Sequence, residues 1–110
     1  MGKASYAETV TLPTAEKGDT FSGWARTLTV NGVAKDLTGA VIVLTLKGGY
    51  GSLTTVGSGG ITITDAGNGI FEIDEQVINF APRTHHYEIT FTFSDGDVKT
   101  YIEGTWEITA

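Results

Sequence analysis

The sequence predicts an all-β protein built as an antiparallel β-sandwich of seven to nine short strands. Three observations carry that prediction. The chain has fifteen glycines but only two prolines, set among many Thr, Ile and Val, the composition of strands joined by glycine turns. Apolar and polar residues alternate strictly in several segments, the period of a half-buried strand. No long segment repeats apolar residues with helical spacing.

The elements follow in chain order. Val10 and Leu12 suggest a first strand, and Trp24, Leu28 and Val30 share one face of a second. Arg26 has the same parity, so it should point inward, where an unpaired guanidinium is costly. A sheet rim, a bulge at Gly23 or a carboxylate partner would each resolve this. Asn31-Gly32 suits a type I′ turn, whose two central positions need positive φ. It should fold the chain back through Val33 to Leu37.

Ile42, Leu44 and Leu46 alternate with Val41, Val43, Thr45 and Lys47, and apolar residues on both sides suggest a central strand. Gly48 to Gly60 has six glycines in thirteen residues and a weak strand at Leu53–Val56. It reads as a flexible hairpin or a mobile loop. Ile61 and Ile63 begin the next strand. The turn cluster Asp65-Ala66-Gly67-Asn68-Gly69 leads into Ile70–Asp74, with Phe71 and Ile73 inward. Glu75–Phe80 is expected to form one helical turn crossing the sandwich, ended by Pro82.

The strongest signal closes the chain. Tyr87, Ile89, Phe91 and Phe93 alternate with Glu88, Thr90, Thr92 and Ser94. After Asp95-Gly96-Asp97, the residues Val98, Thr100, Ile102, Gly104, Trp106 and Ile108 fall on one side, and Tyr101 on the other. Two alternating runs around an Asp-Gly turn read as a long β-hairpin. The 110 residues fit one domain, with residues 1–17 as an N-terminal arm and first strand and 18–110 as the sandwich. Roughly 20 inward apolar side chains would form its core.

Composition excludes several functions. There are no cysteines, which removes disulfides, thiolate metal sites and thiol nucleophiles. The longest apolar run, Ala40–Leu44, falls far short of the about 20 residues of a spanning helix, so no membrane partner is expected. No apolar stretch of the kind found in secretory signals follows the N-terminus. Thirteen acidic residues against seven scattered basic ones give a net charge of −6, which argues against nucleic acid as a partner.

Candidate chemistry is sparse. His85 and His86 are adjacent on a strand, so they point to opposite faces and do not converge on one metal. Asp65–Gly69 has glycine where a calcium loop places oxygen ligands, and Asp95-Gly96-Asp97 reads as a turn. Glu72 and Asp74 could serve as a glycosidase pair only within a cleft. No Gly-x-Ser-x-Gly elbow occurs, and no helix follows a glycine loop to bind phosphate. No catalytic, cofactor-binding or metal-binding residue is assigned, and no cofactor is expected. Tyr50 and Tyr101 would form a sugar-stacking platform if they shared a surface.

The order of the short motifs adds a resemblance. Gly18-Asp19-Thr20 precedes the Trp24 strand, and Asp36-Leu37-Thr38-Gly39-Ala40 opens the apolar one. Gly60–Asp65, Gly69-Ile70-Phe71, Tyr87-Glu88-Ile89 and Asp95-Gly96 follow, and Tyr101–Trp106 closes the series. Over roughly residues 18 to 109, this succession resembles immunoglobulin-like β-sandwich proteins of tailed bacteriophages, above all the N-terminal domain of phage baseplate upper proteins. The resemblance implies an immunoglobulin-like sandwich with no active site. It implies a non-enzymatic virion structural protein, such as a tail, baseplate or neck adaptor, assembled in the host cytoplasm. Its partners would be other virion proteins and further copies of itself. A capsid decoration protein and a module binding a host glycan are the alternatives. Tyr6, Tyr50, Leu53, Val77, Phe80 and Tyr101 are the expected interaction residues. Truncating residues 1–7 is expected to spare folding and weaken incorporation.

Overall fold

The structure, a computed structural model, describes residues 7–110. It is an all-β sandwich. Among the described residues, eight strands have four or more residues: β1 (Glu8–Thr11), β4 (Trp24–Thr27), β7 (Val41–Leu46), β8 (Gly51–Thr54), β9 (Ile61–Asp65), β10 (Ile70–Ile73), β12 (Arg83–Thr92) and β13 (Val98–Thr109). Two-residue strands fill the gaps: β2 (Ala15–Glu16), β3 (Thr20–Phe21), β5 (Thr29–Val30), β6 (Val33–Ala34) and β11 (Gln76–Val77).

The larger sheet has the order β1-β13-β12-β7-β8, and β2 also pairs with β13. The smaller sheet runs β4-β10-β9. Phe71 of β10 meets Phe91 of β12 edge to face at 5.5 Å, which joins the two layers. The pair β3/β11 packs on the same core through Phe21, 5.4 Å from the Trp106 ring. The alternating residues form the interior as expected: Ile42, Leu44, Leu46, Ile89, Phe91, Phe71, Ile73 and Trp106 are fully buried.

The turns follow their local chemistry. Asn31 and Gly32 both take positive φ, 56° and 79°, and link β5 to β6 as a two-residue hairpin. Asp36 Oδ1 accepts from the Thr38 N–H (2.9 Å) and hydroxyl (2.6 Å), closing the turn that launches β7. These bonds hold its carboxyl below the ordinary value, the Thr38 hydroxyl contributing most. Asp95 Oδ1 accepts from Asp97 N–H at the tip between β12 and β13.

Several expectations are corrected. The sandwich is not wholly antiparallel, because β1 and β2 run parallel to β13. Strand β13 has twelve residues, and its edge away from β12 is covered by the start of the chain. Residues 8–16 therefore belong to the sandwich, in line with the first strand expected at Val10 and Leu12 but ahead of the boundary expected at residue 18, with Leu12 and Ala15 buried. Glu75–Phe80 forms no helical turn. Gln76 and Val77 pair instead with Phe21 and Thr20.

The last hairpin carries a bulge. Ile89 opposes Ile102 while Thr90 opposes Thr100, so Tyr101 is the extra residue. The bulge shifts the parity of everything before it. Val98 lies opposite Thr92 and is 59% exposed, against the expected inward position. Tyr101 packs instead against Phe91 and Phe93, at 6.0 and 6.2 Å. Finally, the segment 48–60 is a hairpin arm whose strand is Gly51–Thr54, not Leu53–Val56.

Candidate interaction surface

The expected interaction residues separate into distinct environments. Tyr6 lies outside the described residues. Tyr50 is held rather than free. The Arg83 guanidinium lies 4.4 Å over its ring and also donates to its hydroxyl. Its edge meets the buried His85 imidazole at 5.2 Å. His85 Nε2 lies 2.7 Å from the Ala81 carbonyl oxygen, and Nδ1 has no partner among the described residues. His86, the next residue, is exposed on the opposite face, so the pair is divided as strand geometry requires.

Leu53 is buried in the core, so it is a packing residue and not an exposed docking one. Its inward turn follows from pairing with Leu44 in the central strand. Phe80 is half-buried, 6.0 Å from the Trp106 ring, and its ring covers the Cα of Gly51. Val77 is 61% exposed and remains available. Tyr101 is half-buried, as described above. Tyr50 therefore sits beside the start of β12 and Tyr101 beside its end. They share no surface, so they make no common sugar platform.

Arg26 resolves by pairing. Its guanidinium forms an ion pair with Glu8 of β1 and lies 5.7 Å from the Trp24 ring. The partner comes from β1, the first strand, at the edge of the larger sheet. Arg26 and Glu8 tie the smaller sheet to the edge of the larger one.

Clefts among the described residues include two on the rim. One, of about 380 Å³, is lined by Glu8, Leu28, Thr29, Val30, Asn31 and Tyr101. The other, of about 430 Å³, lies where the two sheets diverge and is walled by Val41, Val56, Ile61 and Ile63 among others. Neither contains Glu72 or Asp74. Among the described residues, no three His, Asp or Glu side chains are grouped to hold a metal ion, and no helix is long and apolar enough to cross a membrane.

Among the described residues, the large apolar side chains left exposed besides Tyr50 (39%) are at the ends of elements. Val33 (68%) flanks the Asn31-Gly32 turn, and Val56 (64%) follows β8. Val98 opens β13 at its hairpin tip, and Val77 lies in the short β11. Comparison with protein-family models, with curated proteins and with solved structures returns no significant match.

Proposed function

We propose that the protein is a non-enzymatic structural component of a tailed-bacteriophage particle, a tail, baseplate or neck adaptor that acts by docking on neighbouring subunits. The observation that carries this reading is the distribution of exposed apolar side chains. The interior is closed by residues such as Trp106, Phe71 and Phe91, while Val33, Val56, Val77 and Val98 stand out at the rims. Apolar residues at hairpin tips and short edge strands suit contacts between subunits better than they suit enclosure of a substrate. The motif order described above supports the phage assignment, and its pieces occupy turns and strand starts: Asp36–Gly39 launches β7, and Asp95-Gly96 forms the last hairpin tip.

The test is quantitative mass spectrometry of purified particles from a host carrying the gene. The protein should be present in several copies per particle, in fixed proportion to the major structural proteins. Its recovery from the cell extract alone would refute the proposal. Its position in imaged particles separates a tail or baseplate adaptor from a capsid decoration protein.

A further inference from the structure

The chain contains two Asn-Gly sequences, Asn31-Gly32 and Asn68-Gly69, and the fold treats them differently. We propose that Asn31 is a site of spontaneous modification, converting to aspartate and isoaspartate, and that the fold protects Asn68 from the same reaction.

The chemistry needs only water. The Gly32 backbone nitrogen loses its proton and attacks Cγ of Asn31. The bond from Cγ to the side-chain nitrogen breaks and ammonia leaves, which closes a five-membered succinimide. Water then opens either carbonyl of that ring, giving aspartate or its backbone-inserted isomer. A glycine on the C-terminal side favours attack because it has no side chain to obstruct the nitrogen, and its backbone is free to rotate.

The reaction therefore requires a mobile turn, an unengaged glycine N–H and a side-chain amide free to rotate. Asn31 and Gly32 meet these conditions. Both are exposed, and nothing lies within 4 Å of the Cβ position of Gly32. Neither the Gly32 N–H nor the Asn31 amide bonds a described residue. The hairpin they close has two strand pairs, Thr29 with Ala34 and Val30 with Val33, and one further bond at its base from Lys35 N–H to the Leu28 carbonyl (2.9 Å). Opening so short a ladder requires little free energy.

Asn68-Gly69 is held at each of these points. The Asn68 amide donates to Asp65 Oδ2 (2.9 Å), which fixes the electrophile. The Gly69 N–H donates to the Ala66 carbonyl (3.1 Å), which engages the nucleophile. The Gly69 carbonyl accepts from Leu28 N–H (2.8 Å), and the backbone oxygens of Leu28 and Lys35 crowd the position a Cβ would take on Gly69. The Asp65 carboxylate beside this turn also opposes the negative charge that develops on an attacking nitrogen.

The consequence is local. Each conversion at Asn31 adds one negative charge to a chain already at −6, in the cleft that Asn31 shares with Glu8 and Tyr101. The isoaspartate form lengthens the backbone by one carbon in a two-residue turn and so disrupts the β5–β6 register.

The experiment is peptide mapping by mass spectrometry on the folded protein held in mildly alkaline buffer, with enzymatic detection of isoaspartate. The urea-unfolded chain serves as the reference, since there both sequences are equally free. In the folded protein Asn31 should convert at least about tenfold faster than Asn68, the ratio expected from a modest difference in local opening. In the unfolded chain the two rates should converge. Asp65→Ala releases the Asn68 amide and should raise conversion at Asn68, leaving Asn31 unchanged. Equal rates in the folded protein, faster conversion at Asn68, or an Asn31 that stays intact while the unfolded chain converts would overturn the proposal.

Discussion

The Tyr87 hydroxyl donates to the Val10 carbonyl oxygen at 2.7 Å, reaching over Gly104 to do so. Gly104 stands opposite Tyr87 on one side and opposite Val10 on the other. Three strands are thus fastened at one level of the sheet. The phenol, buried there, is held well above its usual pKa by desolvation. Gly104 has to be glycine for steric reasons, because a Cβ at that position would lie 1.9 Å from the Val10 oxygen.

The first prediction concerns this level. Gly104→Ala should destabilise the protein by about 3 kcal/mol, because the parallel strand β1 must move off β13. Tyr87→Phe keeps the ring and leaves the Val10 carbonyl without its donor, which should cost about 1–2 kcal/mol. Urea unfolding of both variants checks the order. An alanine variant as stable as the parent would mean that β1 does not lie against Gly104.

Local chemistry accounts for the turns and for the last hairpin. The turns at Asn31-Gly32, Asp36–Gly39 and Asp95–Asp97 were legible because their residue types impose the backbone they adopt. The β12/β13 hairpin was legible because its two runs are joined by one such turn. The pairing of β1 with β13 joins opposite ends of the chain and leaves no local sign. The bulge at Tyr101 was hidden for another reason: a parity count assumes an unbroken register, so one extra residue moves Val98 outward and Tyr101 onto Phe91. Arg26 stands out by its parity, and a carboxylate partner is one of the resolutions the sequence offers, but its pairing with Glu8 is non-local and leaves no sign in the sequence. Glu75–Phe80 misled because its apolar spacing is ambiguous over six residues, and its pairing with Thr20 and Phe21 is non-local.

A second prediction follows from the Arg26–Glu8 pair. Both side chains keep substantial contact with water, 27% and 55% exposed, so the ion pair itself should contribute less than about 1 kcal/mol. A double-mutant cycle with Arg26→Met and Glu8→Gln should give a small coupling energy that shrinks as salt is added. A large, salt-independent coupling would indicate a more deeply enclosed contact.

Asp36 supplies a third. Its folded-state pKa is depressed below the ordinary 3.8, chiefly by the Thr38 hydroxyl. A depressed carboxyl stabilises the fold above its unfolded-state pKa, and that contribution fades as pH falls through the folded value. Asp36→Ala should therefore lower the melting temperature at neutral pH, and the deficit should narrow in acid below 3.8. Thermal unfolding across that range tests the sign. A deficit that grows in acid would contradict it.

The fourth prediction addresses the clamp at Tyr50. The ring lies beneath Arg83 and against His85, and it ties the glycine-rich arm to β12. Tyr50→Ala should cost about 1–2 kcal/mol. It should also make the 48–60 segment the first site of proteolytic cleavage, measured by limited digestion and mass spectrometry. Cleavage unchanged from the parent would show that the arm is held by β8 alone.

The proposal that this sandwich works by its rims is tested most directly by cryo-electron microscopy of intact particles. The map should show the two-layer strand stack in several symmetry-related copies, with Val56, Val77 or Val98 covered by neighbouring subunits. A particle that lacks the protein, or holds it with all three valines facing solvent, would contradict the account.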